Sequence, residues 1–130
     1  MANISINIGD AFLLDTPPND KHLYIAIAQT SESSYLFVNV TTRRTNSEIT
    51  CILQPGSGVP SFINRESVIA YQYAREINVT VLTELVAEKS CVRKGSCSKT
   101  VLVRIQQGGL VSKRLTNKYK TALKAFLNAP

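Results

Sequence analysis

Five short apolar runs, rich in β-branched and aromatic residues and separated by turn-forming residues, occupy the first 75 residues of the chain. Runs of this length suit strands, because a helix needs a longer 3.6-residue repeat to bury one face. They are Ile8 to Leu14, His22 to Ala28, Tyr35 to Thr41, Ile49 to Leu53 and Val68 to Ala74. Between the first two lies Asp15-Thr16-Pro17-Pro18-Asn19-Asp20. Adjacent prolines remove two backbone donors and fix φ, so this stretch is predicted to be an exposed loop. The polar stretches Gln29 to Ser34, Thr42 to Ser47 and Pro55 to Pro60 supply the remaining turns. Alternation along the fifth run predicts Val68, Ala70, Gln72 and Ala74 on one face and Ile69, Tyr71 and Tyr73 on the other.

The period changes after residue 80. Val81, Leu82, Leu85 and Val86 form a helical stripe, with Thr80 or Thr83 as the expected cap. Ser98 is placed to cap a second helix with Val101, Leu102 and Ile105 on one face, and Gly108-Gly109 predicts its stop. Thr116 is placed to cap a last helix with Tyr119, Ala122, Leu123, Phe126 and Leu127 inward. The expected fold is mainly β with C-terminal helices, a small antiparallel barrel or curled sheet. Strands lie at about 8–75 and helices at about 80–128, in a single domain spanning 1–130. A composition of 44% hydrophobic and 18% charged residues argues against disorder. No apolar run is long enough to span a bilayer, and the N-terminus lacks the basic region of a signal peptide. A cytoplasmic location without a membrane partner is the expectation.

Charge is unevenly spread. Residues 1 to 88 carry five basic and nine acidic side chains. Residues 89 to 130 carry ten basic ones, Lys113 and Arg114 among them, and no acidic one. Such a one-sign segment reads either as a surface for a polyanion or an acidic partner, or as a solvated face. The three cysteines, Cys51, Cys91 and Cys97, are an odd number and argue against a disulfide framework. Cys51 reads as a small buried hydrophobe. Cys91 and Cys97 bracket a basic loop whose cations would lower a thiol pKa, at a spacing that does not fit zinc.

The chain has no phosphate-binding GxxxxGKS/T loop, no GxGxxG, no GxSxG and no paired carboxylates suited to magnesium. A two-metal nuclease is therefore not expected, and neither is a cofactor. What remains is a metal-free set. His22, the sole histidine, opens the second run, and imidazole is the side chain that exchanges protons near neutral pH. Thr41 and Thr42 end the third run and lead into Arg43 and Arg44, while Arg65 and Ser67 precede the fifth run and Tyr71 lies inside it. RNA cleavage by its own 2′-hydroxyl needs a base, an acid and a cation on the phosphate, which these residue types supply. Each also has a plain structural reading, as surface polar residue, β-former or solvated pair.

The order IGDAFLLD, HLYIAIA, YLFVNVTT, TCILQPG, SFINRESVIAYQYAREI and LTNKYKTALKAFL resembles the PemK/MazF-like growth-inhibitor toxins, from about Ile8 to Leu127. In that family Gly-Asp opens the first strand, an Arg-Pro pair begins the second and a Ser/Thr pair ends the third. The resemblance implies an SH3-like barrel, a homodimer, metal-independent cleavage of single-stranded RNA and silencing by an acidic antitoxin. The Arg-Pro position falls at Lys21-His22, without the proline, and the Ser/Thr position falls on Thr41 or Thr42. On this reading His22 is the acid/base, Thr41 and Thr42 hold the phosphate or a base edge, and Tyr71 donates a proton or orients the phosphate. Lys21, Arg43, Arg44, Arg65, Ser67, Lys113 and Arg114 then bind RNA. The alternative is an SH3-like barrel that binds nucleic acid or an acidic protein without cleaving.

Overall fold

In a computed structural model, which describes residues 2–16 and 20–129, six strands and three helices follow one another along the chain. The strands are β1 (Asp10–Thr16), β2 (Asp20–Gln29), β3 (Ser34–Thr42), β4 (Ile52–Leu53), β5 (Ser67–Asn78) and β6 (Cys91–Ser96). The helices are α1 (Val79–Ala87), α2 (Lys99–Val111) and α3 (Asn117–Asn128). All pairings are antiparallel, in the order β4-β5-β3-β2-β1-β6. The sheet curls into a half-barrel, so the fold is mainly β with helices, as the runs predict. The loop expected over Asp15 to Asp20 is shorter: Asp15 and Thr16 close β1 and Asp20 opens β2, with Asp15 opposite Lys21 and Thr16 opposite Asp20, while residues 17–19, with both prolines, lie outside the described residues.

Both faces of the sheet are covered, which is why the central strands read as continuous apolar runs. One face buries Leu23, Ile25, Val38, Val40, Ile69 and Tyr71 against Val101 and Ile105 of α2 and Leu123 of α3. The other buries Phe12, Leu14, Tyr24, Phe37 and Ile77 against Leu82 of α1, with Ile4 and Ile6 of the N-terminal segment. Phe12 and Phe37 meet edge to face with ring centroids 5.9 Å apart, a favoured aromatic geometry.

Several sequence expectations change. The first strand starts at Asp10, because Gly9 turns the chain at φ 103°. There its N–H donates to the Ala26 carbonyl and its carbonyl accepts from Cys97 N–H. The fourth run shrinks to two residues and leaves Ile49 exposed, while the fifth extends to Asn78 and buries Ile77. Asn78, not a threonine, caps α1, accepting from Thr80 N–H at 2.8 Å. Thr83 is instead buried within α1, its hydroxyl donating to the Val79 carbonyl. Ser98 does cap α2, and Thr116 occupies the cap position of α3 without a side-chain bond.

The larger corrections concern residues 91–97 and the glycine pair. The expected basic loop is the edge strand β6, paired with β1, so strands are not confined to residues 8–75. Only Cys91 of β6 is fully buried, which leaves no alternation for sequence to reveal. Gly108 and Gly109 lie inside α2 and do not end it. A Cβ on Gly108 would overlap the Tyr71 hydroxyl, and one on Gly109 would come within 2.8 Å of Leu123 Cδ2, so the pair lets sheet and α3 approach the helix.

Candidate nucleic-acid interface at the ends of β2, β3 and β5

The antiparallel register sets the C-terminal end of β3 beside the start of β5, with Thr41 opposite Val68 and Thr42 opposite Ser67. On its other side β3 carries Val40 against Leu23, which brings the start of β2 alongside. The strand ends thereby gather residues that are distant in sequence. Lys21, His22, Thr41, Thr42, Arg65 and Ser67 line one cavity of about 290 Å³, with Phe62, Ile63 and Asn64 of the β4–β5 loop as a wall. Thr42 and Arg65 also line an adjoining open groove of about 960 Å³, whose other cations are Arg43 and Arg44. Eight sequence-predicted residues thus share one region: Lys21, His22, Thr41, Thr42, Arg43, Arg44, Arg65 and Ser67.

The electrostatics of the region are mixed. Arg43 Nη1 donates to Glu66 Oε2 at 2.9 Å. The Gln54 side chain and Arg43 together hold the Glu66 carboxyl below the usual carboxylate range by hydrogen bonding its charged form. Lys21 lies 3.9 Å from Asp15, with both side chains at least half exposed. Arg44 and Arg65 have no ion pair among the described residues. The groove wall is anchored from behind by Glu48, which accepts from Ser112 Oγ at 2.6 Å and from Thr50 Oγ1 at 2.8 Å. Arg114 donates to the carbonyl of Asn46, a groove residue. Arg114 therefore braces the groove from the α2–α3 turn, and Lys113 is exposed beside it.

Tyr71 is not brought to this site. It is buried in the core against α2, where its hydroxyl donates to the Ile105 carbonyl at 2.6 Å, and burial holds the phenol protonated far above its ordinary range. The tyrosine at the site is Tyr73. The register of β3 and β5 passes from Phe37–Arg75 to Asn39–Ala70, so two steps along β3 answer five along β5. This bulge breaks the alternation that sequence predicts, and Tyr71 and Tyr73 do not share a face. Tyr73 is 61% exposed and joins His22, Tyr24, Asn39 and Thr41 around a further cavity of about 200 Å³. Tyr73, Tyr24 and Asn39 were all missed by sequence reasoning.

The ten cations of residues 89–130 are distributed over β6, α2, the α2–α3 turn and α3, with Lys89 just after α1. Several are engaged within the fold. Arg93 pairs with Asp10 at 3.1 Å, bonds the Ser5 carbonyl and lies 5.0 Å from the Phe12 ring centroid. Arg104 donates to the Ile52 carbonyl at 2.6 Å, and Lys94 lies over Phe62. The cysteines are all free thiols. Burial pushes Cys91 and Cys97 up to about 11, and Arg93 only partly offsets this at Cys91, so the expected lowering by neighbouring cations does not occur.

Among the described residues, no three His, Cys, Asp or Glu side chains cluster as metal ligands would, and no helix is long and apolar enough to cross a membrane. No protein-family model matches the chain, and no curated protein is similar to it at a significant level.

Proposed function

We propose that this protein binds single-stranded RNA along the strand-end groove and cleaves it without a metal, as a PemK/MazF-like toxin would. The observation that carries this reading is the meeting of His22 and Thr41 in two cavities, one of which adjoins a groove lined by Arg43, Arg44 and Arg65. In the reaction the His22 imidazole takes the proton of a ribose 2′-hydroxyl. The 2′-oxygen attacks the adjacent phosphorus, the bond to the 5′-oxygen breaks, and that oxygen takes a proton from water. The products are a 2′,3′-cyclic phosphate and a 5′-hydroxyl end. Thr41 and Thr42 supply hydroxyl donors to the phosphate, and Lys21 and Arg65 stabilise the charge that builds on it. An acidic antitoxin segment would compete for the same arginines, and the resemblance implies a homodimer.

The burial of Tyr71 favours a second reading, an RNA-binding barrel that does not cleave, because it removes one expected proton donor. Incubating the protein with a labelled single-stranded RNA, with and without EDTA, separates the two. Cleavage that EDTA leaves unchanged and that His22→Ala reduces by about 10²–10⁴-fold supports catalysis. Chelator-sensitive cleavage, full activity in His22→Ala, or RNA binding by the wild-type protein without cleavage overturns it. Expression in a bacterial host should arrest growth, and the His22→Ala form should be harmless at equal expression.

A further inference from the structure

The cavity of about 200 Å³ lined by His22, Tyr24, Asn39, Thr41 and Tyr73 opens on the face of the sheet opposite α2 and α3. It is smaller than the roughly 300–1,000 Å³ of pockets for drug-sized ligands and suits one ring system. Two aromatic rings bound it. Tyr24 is buried, with the Arg75 guanidinium 5.9 Å from its ring centroid, whereas Tyr73 is exposed. An exposed tyrosine over a small cavity is a stacking surface for a planar ligand.

Asn39 gives the cavity its polarity. It is 3% exposed and follows Leu36, Phe37 and Val38 in β3, all fully buried. A buried amide is costly unless its hydrogen bonds are made. Among the described residues its side chain makes one, from Nδ2 to the Leu23 carbonyl at the long distance of 3.5 Å. A carboxamide presents an N–H donor beside its Oδ1 acceptor, the adjacent pair that matches N7 and the N6 amine of adenine. Thr41 and His22 belong both to this cavity and to the neighbouring one containing Lys21, Arg65 and Ser67.

We propose that this cavity is a nucleobase pocket, in which Tyr73 stacks on one unpaired base and Asn39 selects adenine. A base seated there hands its backbone to His22, Thr41 and Arg65, so base choice would fix which phosphate lies at the imidazole. This last step rests on the RNA reading above; the pocket itself can be tested without it.

The test titrates the full chain with AMP, GMP, CMP, UMP and ribose 5-phosphate, followed by amide NMR shifts and calorimetry. The expected result is AMP tightest, by about 5- to 150-fold over the others, with shifts at Tyr24, Asn39 and Tyr73. Tyr73→Ala, at an exposed position, should weaken every nucleotide by about 10-fold or more. Asn39→Ser should erase the preference for AMP and retain weak binding, with circular dichroism verifying the fold. Equal binding of ribose 5-phosphate and AMP, or no shifts at those residues, overturns the proposal. AMP binding in a protein that never cleaves RNA upholds the pocket and removes the catalytic reading. Cleavage that depends on His22 but keeps its base preference in both pocket variants does the reverse.

Discussion

Replacing Gly108 with alanine tests why a glycine pair sits inside α2. On helix propensity alone Gly108→Ala should stabilise by about 1 kcal/mol. The surroundings reverse that sign. The new methyl would overlap the Tyr71 hydroxyl and stand 3.3 Å from both Tyr71 Cζ and Cys51 Cβ, and all three atoms belong to fully packed residues. Overpacking of this kind costs about 1–3 kcal/mol. Displacing the hydroxyl also breaks its bond to the Ile105 carbonyl and strands a buried donor, at about 1–3 kcal/mol. The net expectation is a loss of about 1–5 kcal/mol, read as a lower urea midpoint with an unchanged slope. Tyr71→Phe alone should cost about 0.5–1.5 kcal/mol, since it removes one hydrogen bond and leaves the ring in place. Because it also removes the overlapping atom, the double variant should be more stable than Gly108→Ala. A Gly108→Ala protein as stable as wild type, or a double variant no better than the single one, would refute the reasoning.

Arg44→Glu with Arg65→Glu should weaken single-stranded RNA binding and flatten its log–log salt dependence by about 0.7 for each phosphate no longer neutralised, whereas Lys113→Glu with Arg114→Glu should weaken it about equally across RNA sequences. Ser112→Ala removes a fully buried hydroxyl that donates to Glu48 and accepts from the N–H groups of Arg114 and Leu115, so urea denaturation should show a loss of about 1–3 kcal/mol. Cys91 and Cys97 hold their protons up to about 11 in the fold, against an ordinary value of 9.0. The folded state therefore binds more protons between those values, and the stability this contributes is present below about pH 9 and is lost as pH rises toward 11. Urea midpoints at about pH 8 and pH 10.5 should show that fall, and it should shrink in the Cys91→Ala, Cys97→Ala protein.

How much of the fold sequence reveals depends on how many faces of an element are buried. β2 and β3 are covered on both sides, so HLYIAIA and YLFVNV announce themselves as apolar runs. β6 is an edge strand that buries Cys91 and exposes most of its length, including Val92 and Arg93. Its residues CVRKGS therefore carry no period, and only the sheet's need for a neighbour to β1 makes them a strand. The glycines of α2 fail as a stop signal for a related reason. Propensity describes an isolated helix, and here close approach of Tyr71 and Leu123 decides the residue.

The site divides along a similar line. His22, Thr41, Thr42, Arg43, Arg44 and Arg65 sit where apolar runs end in polar residues, and antiparallel pairing brings such ends together whatever the details of register. The choice between Tyr71 and Tyr73 depends on register itself. Uniform alternation assigns both to one face, and only the mismatch between Phe37–Arg75 and Asn39–Ala70 separates them, sending one into the core and leaving the other beside His22. On the core side Tyr71 bonds the Ile105 carbonyl of α2, a long-range contact that a local pattern does not encode. Asn39 did leave a trace, as an amide within YLFVNVT, a run otherwise apolar up to its closing threonine. A polar side chain in a strand buried on both faces calls for a partner, and the cavity bounded by two tyrosines supplies the space for one.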